Sequence, residues 1–530
     1  MLFTSYEFIA FLICVIILYY VLPSRYQWKL LLAASYVFYF VSGWKNCFFI
    51  LLTTGSTYFL ARRIDGLHRE QAAYIKEHKK ELSKEERKRY KEKIKSRQWR
   101  LLLTGLFLNF GVLAVLKYSN FAIANLNFGL SLLGSQRQIG FLSLLLPLGI
   151  SFYTFITMGY LIDVYRGKYP AEPCIGKLAL FVSFFPQLIQ GPISRFDQMK
   201  ETLFSEHSFD SREVSFGLER ILWGFFKKLV IADRILTGVT TIIQQPETYN
   251  GIYVFVGMMF YALQLYADFT GGIDITIGIA QTLGIKVQEN FIRPYFSKNI
   301  AEYWRRWHIT LGTWFTEYIF YPVSVCQPML RFSRFCRKHL GDYAGKRMPV
   351  YVASLAVWFT TGIWHGASWN FVVWGLLNGI IIILSQECEP LYARFHARFH
   401  VAQKRWYAGF QVIRTVLLMS SLRMLDCYRD VPLTFRMFGD MFLHSRVSQL
   451  FDGRFMSLGL TVSDYIVLIV GTLILLGASL AGRSGSLREK LASKPAPVRY
   501  ALLYSLFLCT LLIGAYGVGY DSSQFIYNQF

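Results

Sequence analysis

Charge is scarce in this chain. Only 17% of its 530 residues are Asp, Glu, Lys or Arg, against about 25% in an ordinary soluble domain. The eight cysteines, Cys14, Cys47, Cys174, Cys326, Cys336, Cys388, Cys427 and Cys509, are scattered. None of their spacings suits a metal site or a disulfide framework. Ser-x-x-Lys, Gly-x-Ser-x-Gly and phosphate-binding glycine loops are missing, which excludes several familiar hydrolase and nucleotide-binding chemistries. The apolar/polar alternation of a membrane β-barrel is missing too.

What is present is apolar and aromatic. Hydrophobic residues make up 54% and aromatic residues 17% of the chain, with mean hydropathy +0.34. Continuous apolar runs recur from end to end, which is the signature of membrane-crossing helices. The sequence therefore predicts an all-α polytopic membrane protein with about 11–13 spans. The first run, residues 8–22, has no basic leader and no small-residue cleavage motif, so it reads as a retained span. The expected organisation is terminal spans over 1–61, a basic loop over 62–100, a core over 101–385 and further spans over 386–530.

The formal net charge of +23 invites a nucleic-acid reading, but its distribution argues against it. Residues 62–100 hold fifteen Lys and Arg against seven acids, without an aromatic-lined groove. Such a block beside an apolar run suits a cytoplasmic loop drawn to anionic lipid, folded as a surface helix with i,i+4 pairs. It places the N-terminus outside. Lys227-Lys228 reads in the same way as a positive-inside marker.

Two apolar segments carry the chemistry. Residues 350–384 are interrupted by Thr360-Thr361-Gly362-Ile363-Trp364-His365-Gly366-Ala367-Ser368-Trp369-Asn370. An ionisable group at bilayer depth is costly, and faces a cavity or a partner. A neutral imidazole can accept a proton from a hydroxyl near working pH, so His365 is the candidate base; its bland alternative is a bond to a nearby carbonyl. Gly362 and Gly366 permit close backbone approach, Trp364, Trp369 and Trp374 would wall the site, and Ser368 and Asn370 offer polar groups. Upstream, Trp304-Arg305-Arg306-Trp307-His308 could present Trp304 and His308 on one helical face. Arg305 and Arg306 would either anchor the helix at headgroups or hold donor phosphates.

Residues 181–193 are apolar but carry Pro186, Pro192, Gln187, Gln190 and Gly191, which suggests a re-entrant element lining a cavity. Asp268 and Asp274 need partners at such depth, and Arg293, Arg305 and Arg306 are the candidates. A proton-relay transporter is the rival reading from another class.

The ordered motifs Pro147-Leu148-Gly149-Ile150-Ser151-Phe152-Tyr153-Thr154-Phe155, Tyr160-Leu161-Ile162-Asp163-Val164-Tyr165-Arg166-Gly167, Phe184-Phe185-Pro186-Gln187, Gln190-Gly191-Pro192-Ile193, Tyr266-Ala267-Asp268-Phe269, Phe291 with Pro294-Tyr295, Trp304 to Leu311, and Gly362 with Trp364-His365-Gly366-Ala367 and Trp369-Asn370 resemble the membrane-bound O-acyltransferase family. The branch it resembles is that of the bacterial alginate O-acetyltransferase membrane subunit; Gln524-Phe525-Ile526-Tyr527 and Phe530 are also similar. The chain departs from that branch at Leu422-Arg423-Met424-Leu425-Asp426-Cys427-Tyr428-Arg429-Asp430, a difference that bears on partner-facing or acceptor-side details and not on the catalytic core. The resemblance implies a ring of tilted helices around a tunnel, with His365 and His308 at the signature histidine positions. Trp304, Arg305, Arg306, Trp364, Ser368, Asn370, Gln190 and Asp268 would line its substrate and donor tunnel. It implies no resident cofactor or metal, with acetyl-CoA or another acyl thioester as donor. The acceptor would be an extracytoplasmic polysaccharide or a lipase-like partner acetyltransferase, with D-alanyl transfer to teichoic acid as the related alternative.

Overall fold

The computed structural model describes residues 3–516; the terminal match around Gln524–Phe530 lies outside them. Among the described residues every regular element is helical, apart from one isolated antiparallel bridge between Phe291 and Trp307. A lone helix satisfies its own backbone without water, which is why lipid selects it. Five helices are long and apolar enough to cross a membrane: Lys84–Leu132, Ile252–Thr282, Trp369–Glu387, Val462–Ser484 and Ala496–Ile513. Tyr6–Val21 and Ile175–Gln190 are shorter apolar helices. This is a multi-pass membrane protein of all-α class.

The chain divides into two compact units, Met1–Val214 with Ala280–Val287, and Ser215–Ile279 with Gln288–Phe530. In the first unit, residues 62–100 are mostly helical, as the surface-helix reading expects. Helix Asn46–Glu77 and helix Lys84–Leu132 carry the basic block as extensions of apolar segments, joined across residues 78–83. Ser83 starts the second helix with a capping box: its hydroxyl accepts from Glu86 N (3.2 Å), and the Glu86 carboxylate accepts from Ser83 N (2.8 Å).

The apolar run that follows helix Lys84–Leu132 becomes helical only from Ile150. Residues 135–148 are non-helical because Gly140 and Pro147 weaken the helix and two asparagines of helix Lys84–Leu132 take over the backbone. Asn120 bonds both N–H and C=O of Leu142 (2.8 and 2.9 Å), and Asn127 does the same for Ile139 (2.8 and 2.9 Å). Residues 181–193 do break, as their prolines predict. Helix Ile175–Ser183 stops at Phe184, helix Phe185–Gln190 follows, and both are packed inside protein.

In the second unit the carboxylates have other partners than expected. Asp268 pairs with Lys228 at 2.7 Å, and Lys228 also reaches Asp233 at 2.7 Å. Asp274 is held by Arg220 (2.8 Å) and Lys227. Lys227-Lys228 is therefore no exposed topology marker: both lie buried on the wide π-helical turn Phe226–Ala232. Buried ions of one sign require the other, and here the lysines supply it.

Candidate functional site

The second unit contains a cavity of about 600 Å³ whose lining includes Trp304, Arg305, Trp307, His308, Thr361 and His365. Both signature imidazoles border it. They arrive by different local structures, and each is placed by a break in a helix.

His308 does not continue the helix that bears Trp304. Helix Ile300–Arg306 ends, and His308 adopts a left-handed backbone (φ 49°) just before helix Ile309–Phe315. The break is held from a distant segment. Ile292 N donates to Arg306 O (3.0 Å) and Ile309 N to Asn290 O (3.0 Å), on either side of the Phe291–Trp307 bridge. Asn290 Oδ1 accepts from Thr310 N (3.1 Å), Thr310 Oγ1 (2.9 Å) and His308 Nδ1 (3.2 Å). The backbone N–H fixes that amide oxygen as an acceptor, so a neutral His308 carries its proton on Nδ1 and its lone pair on Nε2. This is the tautomer a base or relay needs at Nε2.

His365 is the last residue of Gln327–His365, two helical stretches meeting at a kink at Gly341 (φ 86°). Gly366 leaves helical geometry, and Ser368 precedes the next helix, Trp369–Glu387. The two helices cross backbone to backbone. A Cβ on Gly362 would meet the Phe371 carbonyl, and one on Gly375 would meet the Trp358 carbonyl. That crossing seats His365 edge-on to Trp374 (centroids 4.6 Å) and beside Trp364 (5.1 Å). Trp364 in turn lies 5.9 Å from the His308 ring, so one indole neighbours both imidazoles.

The other expected tunnel residues divide. Trp304 and Arg305 line the cavity. Arg306 instead pairs with Glu302 on its own helix at 2.6 Å. The Ser368 hydroxyl bonds Asn370, whose Nδ2 donates to Leu425 O (3.0 Å), so this pair ties the helix start to helix Arg405–Tyr428. Asp268 is committed to Lys228, and Gln190 belongs to the first unit. Trp369 is 58% exposed and lies outside this cavity's lining.

The membrane-bound O-acyltransferase family model matches residues 171–425, a range containing both histidines and the whole cavity lining. The chain belongs to this family. It is 33% identical over 393 residues to the probable alginate O-acetylase AlgI of Pseudomonas aeruginosa, covering 73% of this chain and 66% of that protein. It is 32% identical over 321 residues to the peptidoglycan O-acetyltransferase of Helicobacter pylori, covering 56% of this chain and 57% of the relative. A teichoic acid D-alanyltransferase of Bacillus subtilis is 27% identical over 277 residues, with 51% and 65% covered. The chain thus spans just under two thirds of the alginate O-acetylase that it matches.

Three residues of this family member escaped the sequence reading. Asn290 fixes His308, as described. Asn378 accepts from Trp304 Nε1 at 3.1 Å and sets that indole; an amide one turn after Trp374 in an apolar run was the available signal. Arg423 is buried with its guanidinium 4.8, 5.3 and 5.7 Å from the rings of Trp374, Trp307 and Trp304. A charge inside the apolar stretch around Leu422 pointed to a partner, and the partner is this tryptophan cluster together with Asp426 (3.4 Å).

Proposed function

We propose that the protein is an integral-membrane O-acyltransferase, transferring an acetyl group from a cytosolic thioester to an extracytoplasmic hydroxyl. The observation that carries this reading is the meeting of His308 and His365 on one cavity within the family-matched region. In this reading an imidazole Nε2 takes the proton of the attacking hydroxyl while its oxygen bonds the thioester carbonyl carbon. The C–S bond then breaks, and the departing thiolate takes up the proton. Arg305 on the cavity wall suits the phosphates of a donor such as acetyl-CoA. The acceptor is a cell-surface polysaccharide, directly or through a lipase-like partner acetyltransferase. Residues 62–100 face the cytoplasm and the N-terminus faces outside, in keeping with the basic block.

The test uses purified protein in nanodiscs with radiolabelled acetyl-CoA and a de-O-acetylated polysaccharide. His365→Ala and His308→Ala should each lower transfer by about 10²–10⁴-fold, the usual worth of a general acid–base, with elution and tryptophan emission unchanged. Full activity in His365→Ala removes the assignment. The D-alanyltransferase relative supports a second reading, D-alanyl transfer from a carrier-protein thioester. Turnover with an alanyl carrier but not with acetyl-CoA would select it.

A further inference from the structure

The two histidines that border the cavity are carried by separate segments, each at a break in a helix. Imidazoles that share one reaction need a fixed separation, because misplacement by about 1 Å costs about 10²-fold in rate. A break in the chain does not by itself fix that spacing.

One buried cation reaches the surroundings of both. Arg423, 4% exposed, belongs to helix Arg405–Tyr428. Its guanidinium is 4.8 Å from the ring of Trp374, which stands edge-on to His365 with centroids 4.6 Å apart. It is 5.3 Å from the ring of Trp307, the residue immediately before His308 and the bridge partner of Phe291. It is also 5.7 Å from Trp304, on the helix that ends at this break. His365 is thus reached through one indole, and the break that carries His308 through two others.

Arginine suits this place better than lysine. A flat, weakly hydrated guanidinium can meet several ring faces at once, whereas an ammonium is a compact point charge. Asp426, three residues on, balances the charge at 3.4 Å. Arg423 does not line the cavity, so its influence on the reacting groups passes through the indoles.

We infer that Arg423 is a positioning residue for acyl transfer: through Trp304, Trp307 and Trp374 its guanidinium holds the segments of His308 and His365 at working distance. The inference rests on the acyltransferase reading above. Donor affinity belongs to the cavity wall, where Arg305 stands, so loss of Arg423 should lower kcat and leave KM in place.

Two variants of the full chain in nanodiscs test this with acetyl-CoA as donor. Arg423→Met/Asp426→Leu removes both charges, so neither ion is left buried alone. Arg423→Lys keeps the pair with Asp426 and gives up the plane. The double variant should lose about 10²-fold in kcat and Arg423→Lys a smaller share of it, both with the wild-type KM for acetyl-CoA. Hydrogen exchange, compared at one pH, should quicken in the double variant across residues 305–309 and 364–368 together. Wild-type kcat in both variants, a change confined to KM, or exchange that quickens at one break only would overturn the inference. A wild type that transfers neither acetyl nor alanyl groups refutes the acyltransferase reading instead, and the exchange comparison still decides whether Arg423 couples the two histidines.

Discussion

Arg423→Met tests whether the tryptophan cluster around the histidine cavity is organised by one buried charge. The side chains of Arg423 and Asp426 are 5% and 2% exposed, and their ion pair spans 3.4 Å. Removing the guanidinium leaves Asp426 buried without its cation, a loss of about 3–5 kcal/mol in comparable cases. It also removes the contacts with Trp304, Trp307 and Trp374, each about 0.5–2 kcal/mol and not additive on a shared cation. The two contributions separate in the double variant Arg423→Met/Asp426→Leu. With no carboxylate left unpaired, it should recover most of the loss and stay about 1–2 kcal/mol below wild type. Equilibrium urea unfolding in micelles, followed by tryptophan emission, reads both. The reasoning fails if the single variant lies within about 1 kcal/mol of wild type, or if the double variant is no more stable than the single.

Other expectations follow from the same geometry. Asn290→Leu removes the acceptor of Thr310 N and His308 Nδ1, costing about 1–3 kcal/mol for the unsatisfied donor; acyl transfer should fall, and the pH–rate profile should shift because the His308 tautomer is no longer fixed. Lys228→Met leaves Asp233 and Asp268 without their shared cation, a loss of about 3–5 kcal/mol, and Lys228→Met/Asp268→Leu should recover part of it in the same unfolding assay. In the loop between spans, the hydrogen bond from Arg454 holds the Asp452 carboxyl below its ordinary range. A lowered folded value means the loop's stabilisation is present above the unfolded carboxylate pKa of about 3.9 and is lost as pH falls through the folded value. Hydrogen-exchange protection across residues 447–457, taken relative to the intrinsic amide rate at each pH, should therefore be greater at pH 7 than near pH 3 in wild type, and Asp452→Asn should flatten that difference.

The class of fold was legible because lipid leaves so few options. Few charges and continuous apolar runs can only be helices that satisfy their own backbone. The two histidines were legible for a related reason: their cost at depth marks them individually, whatever surrounds them. Their placement was not. A helical reading of Trp304 to His308 put the two on one face by spacing alone, whereas the chain breaks between them. The cause lies in residues 290–292, whose backbone and Asn290 side chain are non-local partners that no local window contains. The non-helical backbone around Ile139 and Leu142 has the same kind of cause, Asn120 and Asn127 of another helix.

Partner assignment shows the limit from the other side. Arginines near Asp268 and Asp274 were the reasonable candidates, yet the partners lie about one helical hairpin upstream, at Arg220, Lys227 and Lys228. A Lys-Lys pair after an apolar run looks the same in sequence whether it meets headgroups or buried carboxylates. Only packing distinguishes the two, and it does so here by the close crossing of Gly224 with Gly271, where a Cβ on either would meet the other's carbonyl. With no side chain between them, helix Ser211–Phe225 and helix Ile252–Thr282 approach until the following turn can reach the carboxylates. The glycine pair, more than the charges themselves, therefore decides that Lys227 and Lys228 are interior residues.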